Sequence, residues 1–361
     1  MARAISTNNV VNKKSFSLAD YKKKNNVDNT AFKPNRYLEL GEAFKEATSL
    51  PGLLIGGVNM IMGHSDSGKT TAMVKGAISS QKLGRLPIFI ITEMKWSWQH
   101  AKIMGLEFEE VLDEETGEIN NEGNFIYIDK LQLKSIEDVA QFINKTLDDQ
   151  DKGLLPYDID FFWDSVGSVP SQMSIDKGKN NNEWAAGAMS VQFGSSINQR
   201  ITASRRSGSK YTNTLVVVNK VWVEKPSNPM GQPKIKPKGG TTMYFDAILV
   251  IRFGNISSSG TNKIKAVKNK KTMSFASRTA VTIQKNHITG VETEGKIIIT
   301  PQGYIHDTKK DIELYKKENM DYLVDVLGSS FSDGDFDIEI DESEEVMSLD
   351  DVTEMMEDLD Q

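Results

Sequence analysis

The sequence predicts an α/β fold whose central sheet is mostly parallel and is extended by antiparallel strands. Short apolar runs, typical of buried strands, alternate along most of the chain with segments of helical periodicity. A glycine-rich turn follows one of these runs and leads into a predicted helix. Near the C-terminal third, apolar runs follow one another without an intervening helix. Strands that alternate with helices predict parallel pairing, and consecutive strands predict antiparallel pairing.

The predicted organisation is an N-terminal arm over residues 1–35, a core over 36–310, and a C-terminal helix with an acidic tail over 311–361. The arm is polar and has little apolar periodicity. In the core, apolar residues at helical spacing predict a helix within 37–47. A buried strand at 58–62 then precedes the glycine-rich turn.

The same patterns predict the other core elements. Further strands are expected at 86–92, 124–128, 159–163, 214–218 and 247–251, and helices at 69–83, in a segment ending at 102–104, and at 135–147. Residues 113–123 are expected to form an exposed excursion. Runs at 263–267, 280–284 and 296–299 are expected to extend the sheet with antiparallel strands.

Composition excludes several classes of function. The 361 residues include no cysteine, which excludes disulfides, thiol nucleophiles and thiolate metal sites. The four histidines show no pairing at metal-ligand spacing. No stretch approaches eighteen uninterrupted apolar residues, so we expect no membrane segment and a cytoplasmic protein.

The net charge of −7 hides an asymmetry between the body and the tail. Residues 333–361 contain 14 Asp or Glu and no Lys or Arg, so removing this −14 leaves +7 on the other 332 residues. A basic body with an acidic tail suggests a polyanionic partner for which the tail competes. A tail that only improves solubility remains an alternative.

The strongest motif joins the 58–62 strand to the 69–83 helix, and we call it the glycine-rich loop. It consists of Gly63, His64, Ser65, Asp66, Ser67, Gly68, Lys69 and Thr70, which meet the Walker A pattern. In that pattern backbone N–H groups and the lysine bind phosphates, and the hydroxyl binds Mg²⁺. The sequence therefore predicts an ATP site with Mg²⁺, for which Thr70 is one ligand.

Two acidic residues are candidates for the remaining chemistry. Asp164 ends the 159–163 strand, where a carboxylate could hold the metal against Thr70. Asp160 is an alternative inside the apolar run, and Asp164 could instead cap the turn through Ser165. Glu93 ends the strand after the first helix, and we expect it to orient the water that attacks the γ-phosphate.

Taken in order, these motifs resemble the RecA-type recombinase core, particularly bacterial RecA and the phage UvsX branch. The matching blocks are 63–71, Glu93 with Ala-Lys-Ile-Met-Gly at 101–105, Asp-Ser-Val at 164–166, Ala-Gly-Ala-Met-Ser at 186–190, Val-Val-Val-Asn-Lys at 216–220 and Val-Lys-Asn-Lys at 267–270. The match extends over roughly residues 35–300. It implies a RecA-like P-loop NTPase core.

The resemblance also implies roles at the nucleotide. Glu93 takes the position of the catalytic glutamate, and Thr71 completes the phosphate-binding block. His100 takes the position of the aromatic residue that stacks on adenine. Lys220 takes the position of the γ-phosphate sensor, which is Gln or His in the two branches.

The last block implies an assembly. Lys268 and Lys270 match lysines that reach the ATP of a neighbouring subunit, which would place ATP between protomers of a helical filament. The N-terminal arm corresponds to the polymerisation segment that docks on an adjacent subunit. The acidic tail resembles the C-terminal tail of the family.

Two segments correspond to the DNA-binding loops of the family. The first is 171–185, with Lys177, Lys179 and Trp184, and the second is 222–240, with Lys225, Lys234, Lys236 and Lys238. Cations suit phosphate contact and the tryptophan suits base stacking. A disordered surface loop is the alternative for the first segment.

The function implied is an ATP-dependent recombinase that forms filaments on single-stranded DNA and pairs it with double-stranded DNA. Single-strand-binding protein and a recombination mediator are the further partners expected. One alternative is a hexameric helicase or ring ATPase, with Arg252 or Arg278 as an arginine finger. The other is a non-catalytic mediator that retains a degenerate loop.

Overall fold

The computed structural model describes residues 17–25, 30–179, 181–224, 234–237, 241–254, 262–268, 271–319, 322–323 and 337–339, with the backbone alone for 222–224, 234–236, 266–268, 271–273 and 337–339. The strands are β1 (Tyr37–Glu39), β2 (Gly52–Leu54), β3 (Val58–Gly63), β4 (Leu86–Ile91), β5 (Glu109–Leu112), β6 (Ile119–Glu122), β7 (Ile126–Asp129), β8 (Ile159–Asp164), β9 (Thr214–Glu224), β10 (Lys234–Pro237), β11 (Leu249–Phe253), β12 (Lys263–Lys268), β13 (Lys271–Asn286), β14 (Thr293–Thr300), β15 (Gly303–His306) and β16 (Asp337–Glu339).

The helices are α1 (Leu18–Lys24), α2 (Glu42–Thr48), α3 (Lys69–Lys82), α4 (Trp98–Met104), α5 (Ile136–Asp151), α6 (Gln172–Asp176), α7 (Asn182–Met189), α8 (Asn198–Ala203), α9 (Thr242–Asp246) and α10 (Lys309–Glu318). A π-helical segment, Ser190–Ile197, joins α7 to α8. A capping box formed by Ser135 and Asp138 fixes the start of α5. Among the described helices, none is long and apolar enough to cross a membrane.

The central sheet confirms the predicted α/β architecture. Its main path runs β15-β14-β13-β11-β3-β9-β8-β4-β7. Every neighbouring pair from β11 to β7 is parallel. Beyond β11, strands β13, β14 and β15 pair in antiparallel fashion. The sheet is therefore mostly parallel at its centre and antiparallel at one side.

Helices cover both faces of the parallel region. Phe161 and Trp163 of β8 pack with α5 and the π-helical segment, whereas Phe162 between them packs with α3 on the opposite face. All six residues of β3, β4 and β8 are buried. Burial on both faces explains why these strands read as uninterrupted apolar runs.

Three segments differ from the expected elements. The predicted 37–47 helix is instead β1 followed by α2, because residues 37–39 pair with β2 and Gly41 adopts a φ of +106°. The exposed 113–123 excursion contains the turn and the second strand of a hairpin, in which Leu112 pairs with Ile119. Strand β13 has 16 residues, far more than the predicted 280–284, because its first half pairs with β12.

The two predicted DNA-binding loops contain regular structure, which corrects their description as loops. The 171–185 segment holds α6 and the start of α7, each of which has a side-chain N-cap, Ser171 and Asn181. In the 222–240 segment, the end of β9 pairs with β10 in antiparallel fashion, from Glu224 with Lys234 to Val221 with Pro237. Part of the second segment therefore belongs to the two strands of a hairpin.

The end of the predicted arm lies against the core of the same chain. The N–H of Ser207 donates to the Ala31 carbonyl at 2.8 Å, and the N–H of Lys33 donates to the Arg205 carbonyl at 2.8 Å. The Arg205 guanidinium lies 5.2 Å from the centre of the Phe32 ring. Residues 30–36 thus pack beside the connection between α8 and β9.

Candidate functional site

The glycine-rich loop connects β3 to α3 at the carboxyl edge of the parallel strands. A side chain at Gly68, where φ is +98°, would place its Cβ 2.7 Å from Cδ1 of Ile299. A Cβ at Gly63 would lie 2.6 Å from the Phe253 carbonyl oxygen. The Tyr304 hydroxyl donates to the Gly68 carbonyl at 2.7 Å. Close approach of β11 and β14 therefore requires both glycines.

The side chain of Lys69 folds back over the loop from the first turn of α3. Its ammonium donates to the carbonyl of His64, and the Ser67 hydroxyl donates to the same carbonyl at 2.8 Å. Burial lowers the pKa of Lys69, although Asp164 and Glu93 act in the opposite direction. Since α3 begins here, its first N–H groups and the ammonium lie together, which suits an anion.

Thr70 and Asp164 bring two oxygen donors together beside the loop. The Thr70 hydroxyl donates to Oδ2 of Asp164 at 3.1 Å. Burial, with a smaller contribution from Glu93, raises the pKa of Asp164 to about 6, and the hydrogen bond from Thr70 and the charge of Lys69 oppose the rise. A hydroxyl and a carboxylate are hard oxygen ligands, so this pair fits Mg²⁺.

Asp160 has a different role from Asp164. Its carboxylate is fully buried and accepts hydrogen bonds from Arg85 at 2.6 and 2.7 Å and from the Ser80 hydroxyl at 2.7 Å. These bonds tie the end of α3 to β8, away from the glycine-rich loop. The alternative that Asp160 serves as the metal ligand is therefore excluded, and Asp164 is the carboxylate beside Thr70.

Glu93 and Lys220 form an ion pair beside Thr70 and Asp164. Glu93 follows β4, and Lys220 lies in β9 opposite Gly63 of the loop. The Lys95 ammonium is 3.9 Å from the same Glu93 carboxylate. A cavity of about 70 Å³ brings the set together, lined by Ser65, Asp66, Lys69, Thr70, Ile91, Glu93, Lys95, Trp96, Asp164 and Lys220.

A second, larger cavity includes a residue of the first turn of α3. Its volume is about 650 Å³, and both Thr71 and His100 line it. The lining also includes Phe275, Ile299, Thr300, Pro301 and Tyr322. The structure thus places the predicted base-stacking residue in a cavity that adjoins the predicted phosphate-binding loop.

Most of the described residues of the first predicted DNA-binding segment lie at the surface, whereas Ser171, Ser174 and Ala185 are buried. Lys177 and Lys179 are exposed, and Trp184 is half-buried. Lys179 lines a cavity of about 460 Å³ together with Ser168 and Asn182. This segment comes after β8 in the chain. It therefore begins near the edge of the sheet at which β8 ends with Asp164.

Several predicted residues have no side-chain description. Lys225, Lys238 and Lys270 lie outside the described residues, and for Lys234, Lys236 and Lys268 the backbone alone is described. The backbone places Lys234 and Lys236 in β10 and Lys268 at the end of β12.

The structure adds residues that sequence reasoning missed. Trp96 and Lys95 line the smaller cavity. The Thr92 and Ser168 hydroxyls lie 2.6 Å apart and connect the end of β4 to the turn after β8. The only signal in the sequence was that these residues lie close to the ends of two predicted strands. Single polar residues near Glu93 and Asp164 match no motif.

A comparison with protein-family models finds none that matches, and a comparison with curated proteins finds no significant match. The site itself can bind an anion at the start of α3, hold a divalent cation between Thr70 and Asp164, and offer Glu93 as a base. This combination suits transfer of a phosphoryl group to water.

Proposed function

We propose that the chain is a Mg²⁺-dependent ATPase that acts as a homologous recombinase on single-stranded DNA. The observation that carries the proposal is the convergence of Lys69, Thr70, Asp164 and Glu93 on one small cavity at the start of α3. These residues come from separate parts of the sequence, and each matches a requirement of nucleotide hydrolysis.

In the proposed reaction, the glycine-rich loop and Lys69 bind the β- and γ-phosphates of ATP. Thr70 and Asp164 would hold Mg²⁺, which would supply positive charge beside the phosphate oxygens. Glu93 orients a water molecule and accepts its proton as the water oxygen bonds to the γ-phosphorus. The bond to the β,γ-bridging oxygen breaks, and ADP keeps its electron pair.

The larger cavity is the proposed site for the adenine. His100, Thr71 and Pro301 line it. An imidazole can stack on a base, and apolar side chains of the lining can contact the ring. Thr71 follows Thr70, which lines the smaller cavity, so the start of α3 contributes to both cavities.

The recombinase assignment is supported by where the two predicted DNA-binding segments begin. Strands β8 and β9 are neighbours in the sheet; the segment 171–185 comes after β8, and the segment 222–240 begins in the last three residues of β9. Asp164 and Lys220 lie in the same two strands. DNA bound at these segments would therefore act on the strands that carry the hydrolytic residues.

The ring ATPase alternative has less support. Arg278, one of its two candidate fingers, forms an ion pair with Asp307 of its own chain at 2.8 Å. Arg252 lies in β11 and is only partly exposed. An arginine finger must reach the γ-phosphate bound by a neighbouring subunit. The ion pair of Arg278 with Asp307 opposes this movement.

Negative-stain electron microscopy tests the assembly. The protein would be imaged with and without single-stranded DNA and a non-hydrolysable ATP analogue. The proposal expects helical filaments that need both ligands. Closed rings would contradict it and would favour the ring ATPase.

The shared nucleotide site has its own test. Lys268→Ala combined with Lys270→Ala should abolish DNA-stimulated hydrolysis and leave the unfolding free energy unchanged. The control is Lys309→Ala combined with Lys310→Ala, which removes the same charge from α10 and should leave turnover at the wild-type rate. Normal turnover in the 268/270 variant would remove the role of these lysines across the subunit interface.

A further inference from the structure

The turn after β4 places a further lysine beside the glycine-rich loop. Lys95 lines the smaller cavity, of about 70 Å³, together with Lys69, Thr70, Glu93 and Asp164. Its ammonium lies 3.9 Å from the Glu93 carboxylate, and its side chain is 73% exposed. At this distance and exposure the pair contributes little free energy, because water screens the ammonium. Lys95 can therefore leave Glu93 for a stronger acceptor at little cost.

The chain on both sides of Lys95 is fixed to the core. Before it, the N–H of Thr92 donates to the Asp164 carbonyl at 2.7 Å. After it, the Trp96 ring packs on the buried Phe89 ring, with 4.8 Å between the ring centres. The backbone of Lys95 is therefore held beside the cavity, while its side chain remains exposed.

Met94 gives this turn an uncommon backbone. Its φ of +56° is left-handed, a conformation that residues with a side chain rarely adopt. Such conformations cost free energy and are concentrated at functional sites. Glu93 and Lys95, the two residues that flank Met94, both line the cavity. One short turn thus presents a carboxylate and a cation to the same cavity.

Lys95 is the least engaged cation of the smaller cavity. Three lysines and three carboxylates line this cavity, so their charges balance without a ligand. The Lys69 ammonium donates to the His64 carbonyl, and the Lys220 ammonium contacts Glu93 directly. A terminal phosphate adds about two negative charges beside this balanced set. Because Lys95 has the longest contact and the most exposed side chain, we expect it to move to that charge.

We propose that Lys95 is a catalytic residue that binds the γ-phosphate of ATP in its own chain and stabilises the charge that develops on it during hydrolysis. This inference rests on the proposed ATPase function. Lys95 transfers no proton: the attacking water gives its proton to Glu93, and ADP keeps the electron pair of the broken bond. A cation from the same chain takes the part that an arginine finger plays in other nucleotide hydrolases.

Turnover with Mg²⁺, ATP and single-stranded DNA measures the contribution of this charge. Lys95→Met should lower kcat by about 100-fold, a typical effect of removing one donor to a transition state. Lys95→Arg should restore most of the rate, because it returns a cation to the same place. The matched control is Lys152→Met, since Lys152 also lies 3.9 Å from a carboxylate and has a side chain that is 66% exposed. Equal kcat values for Lys95→Met and the control would overturn the proposal.

The release of labelled ADP separates a contact with the γ-phosphate from a structural role. Aluminium fluoride beside bound ADP mimics the γ-phosphoryl group in its transition state. It should slow ADP release from the wild type and from Lys152→Met, and its effect on Lys95→Met should be smaller by about tenfold or more. Without aluminium fluoride, the three proteins should release ADP at the same rate. Faster release from Lys95→Met in both conditions would overturn a role specific to the γ-phosphate.

A mixture of two variants tests whether Lys95 acts in its own chain. Glu93→Gln and Lys95→Met are each expected to be nearly inactive with single-stranded DNA. If Lys95 reached the site of a neighbouring subunit, mixing them would combine an intact Glu93 with an intact Lys95 and restore hydrolysis. The proposal expects no recovery at any mixing ratio. Recovery would overturn the assignment to the same chain.

The outcomes separate this inference from the proposed function. If the wild type neither binds ADP with Mg²⁺ nor hydrolyses ATP, the ATPase proposal fails. If the wild type hydrolyses ATP and Lys95→Met does so at the same rate, only the role of Lys95 fails.

Discussion

At the scale of single residues, Gly68 combines a left-handed backbone with little room for a side chain. Its φ of +98° and the 2.7 Å approach of Ile299 act together, whereas Gly105 has a similar φ of +103° and open space around it. Gly68→Ala should therefore cost about 1–3 kcal/mol more unfolding free energy than Gly105→Ala, measured by urea denaturation. Equal losses would show that Ile299 adjusts without cost.

Asp164 predicts a pH dependence of stability. Its folded-state pKa, about 6, lies above the ordinary aspartate value of 3.8, so folding favours the neutral carboxyl. The stability from this preference is fully present below about pH 4 and is lost as pH rises through 6. In Mg²⁺-free buffer, Asp164→Asn should therefore stabilise the protein by up to about 3 kcal/mol at pH 8.

The same substitution should have a much smaller effect near pH 4, where the wild-type carboxyl is neutral in the folded state and about half neutral in the unfolded state. Urea denaturation at several pH values measures the difference. Glu114→Gln, at an exposed turn, is the control and should leave the profile unchanged. A constant effect of Asp164→Asn from pH 4 to 8 would contradict the buried, Mg²⁺-free carboxylate described here.

At the scale of elements, the buried Arg85–Asp160 pair joins the connection after α3 to β8, the strand that ends at Asp164. Arg85→Met would leave the Asp160 carboxylate buried without its cation. We expect a loss of about 3–5 kcal/mol of unfolding free energy. Lys102→Met, which breaks the exposed pair with Glu110, should cost less than about 1 kcal/mol. Similar losses in the two variants would contradict this role.

The sequence predicted the elements whose burial is uniform. Strands β3 and β8 are buried on both faces, and α3 follows a recognisable turn, so local pattern was sufficient. It failed for β1 and for the first half of β13, where pairing with a distant strand decides the conformation. The β5–β6 hairpin is largely exposed and gave no apolar alternation to detect.

Parts of the candidate site were predictable because they depend on local sequence pattern. The glycine-rich loop is contiguous, and Asp164 ends an apolar run. The contact between Glu93 and Lys220 was not predictable from local pattern, because 127 residues separate them and the contact depends on β9 lying between β3 and β8. The sequence already favoured Asp164, but rejecting Asp160 required the position of Arg85.

At the scale of the whole molecule, the acidic tail is expected to oppose DNA binding. Residues 340–361 contain 10 Asp or Glu and no Lys or Arg. Deleting them should tighten binding to single-stranded DNA in fluorescence anisotropy, and the gain should shrink as salt screens the charges. A neutral tail of equal length should behave like the deletion. A gain that is independent of salt would contradict competition by charge.

The central claim is that Gly63 to Thr70 forms an ATP site at which Glu93 activates water. Phosphate release from ATP in Mg²⁺ and single-stranded DNA, compared between the wild type and Glu93→Gln, tests it most directly. We predict steady release by the wild type, and in the variant a loss of at least about 100-fold with nucleotide affinity retained. Failure of the wild type to bind ATP, or equal release by both proteins, would contradict the account.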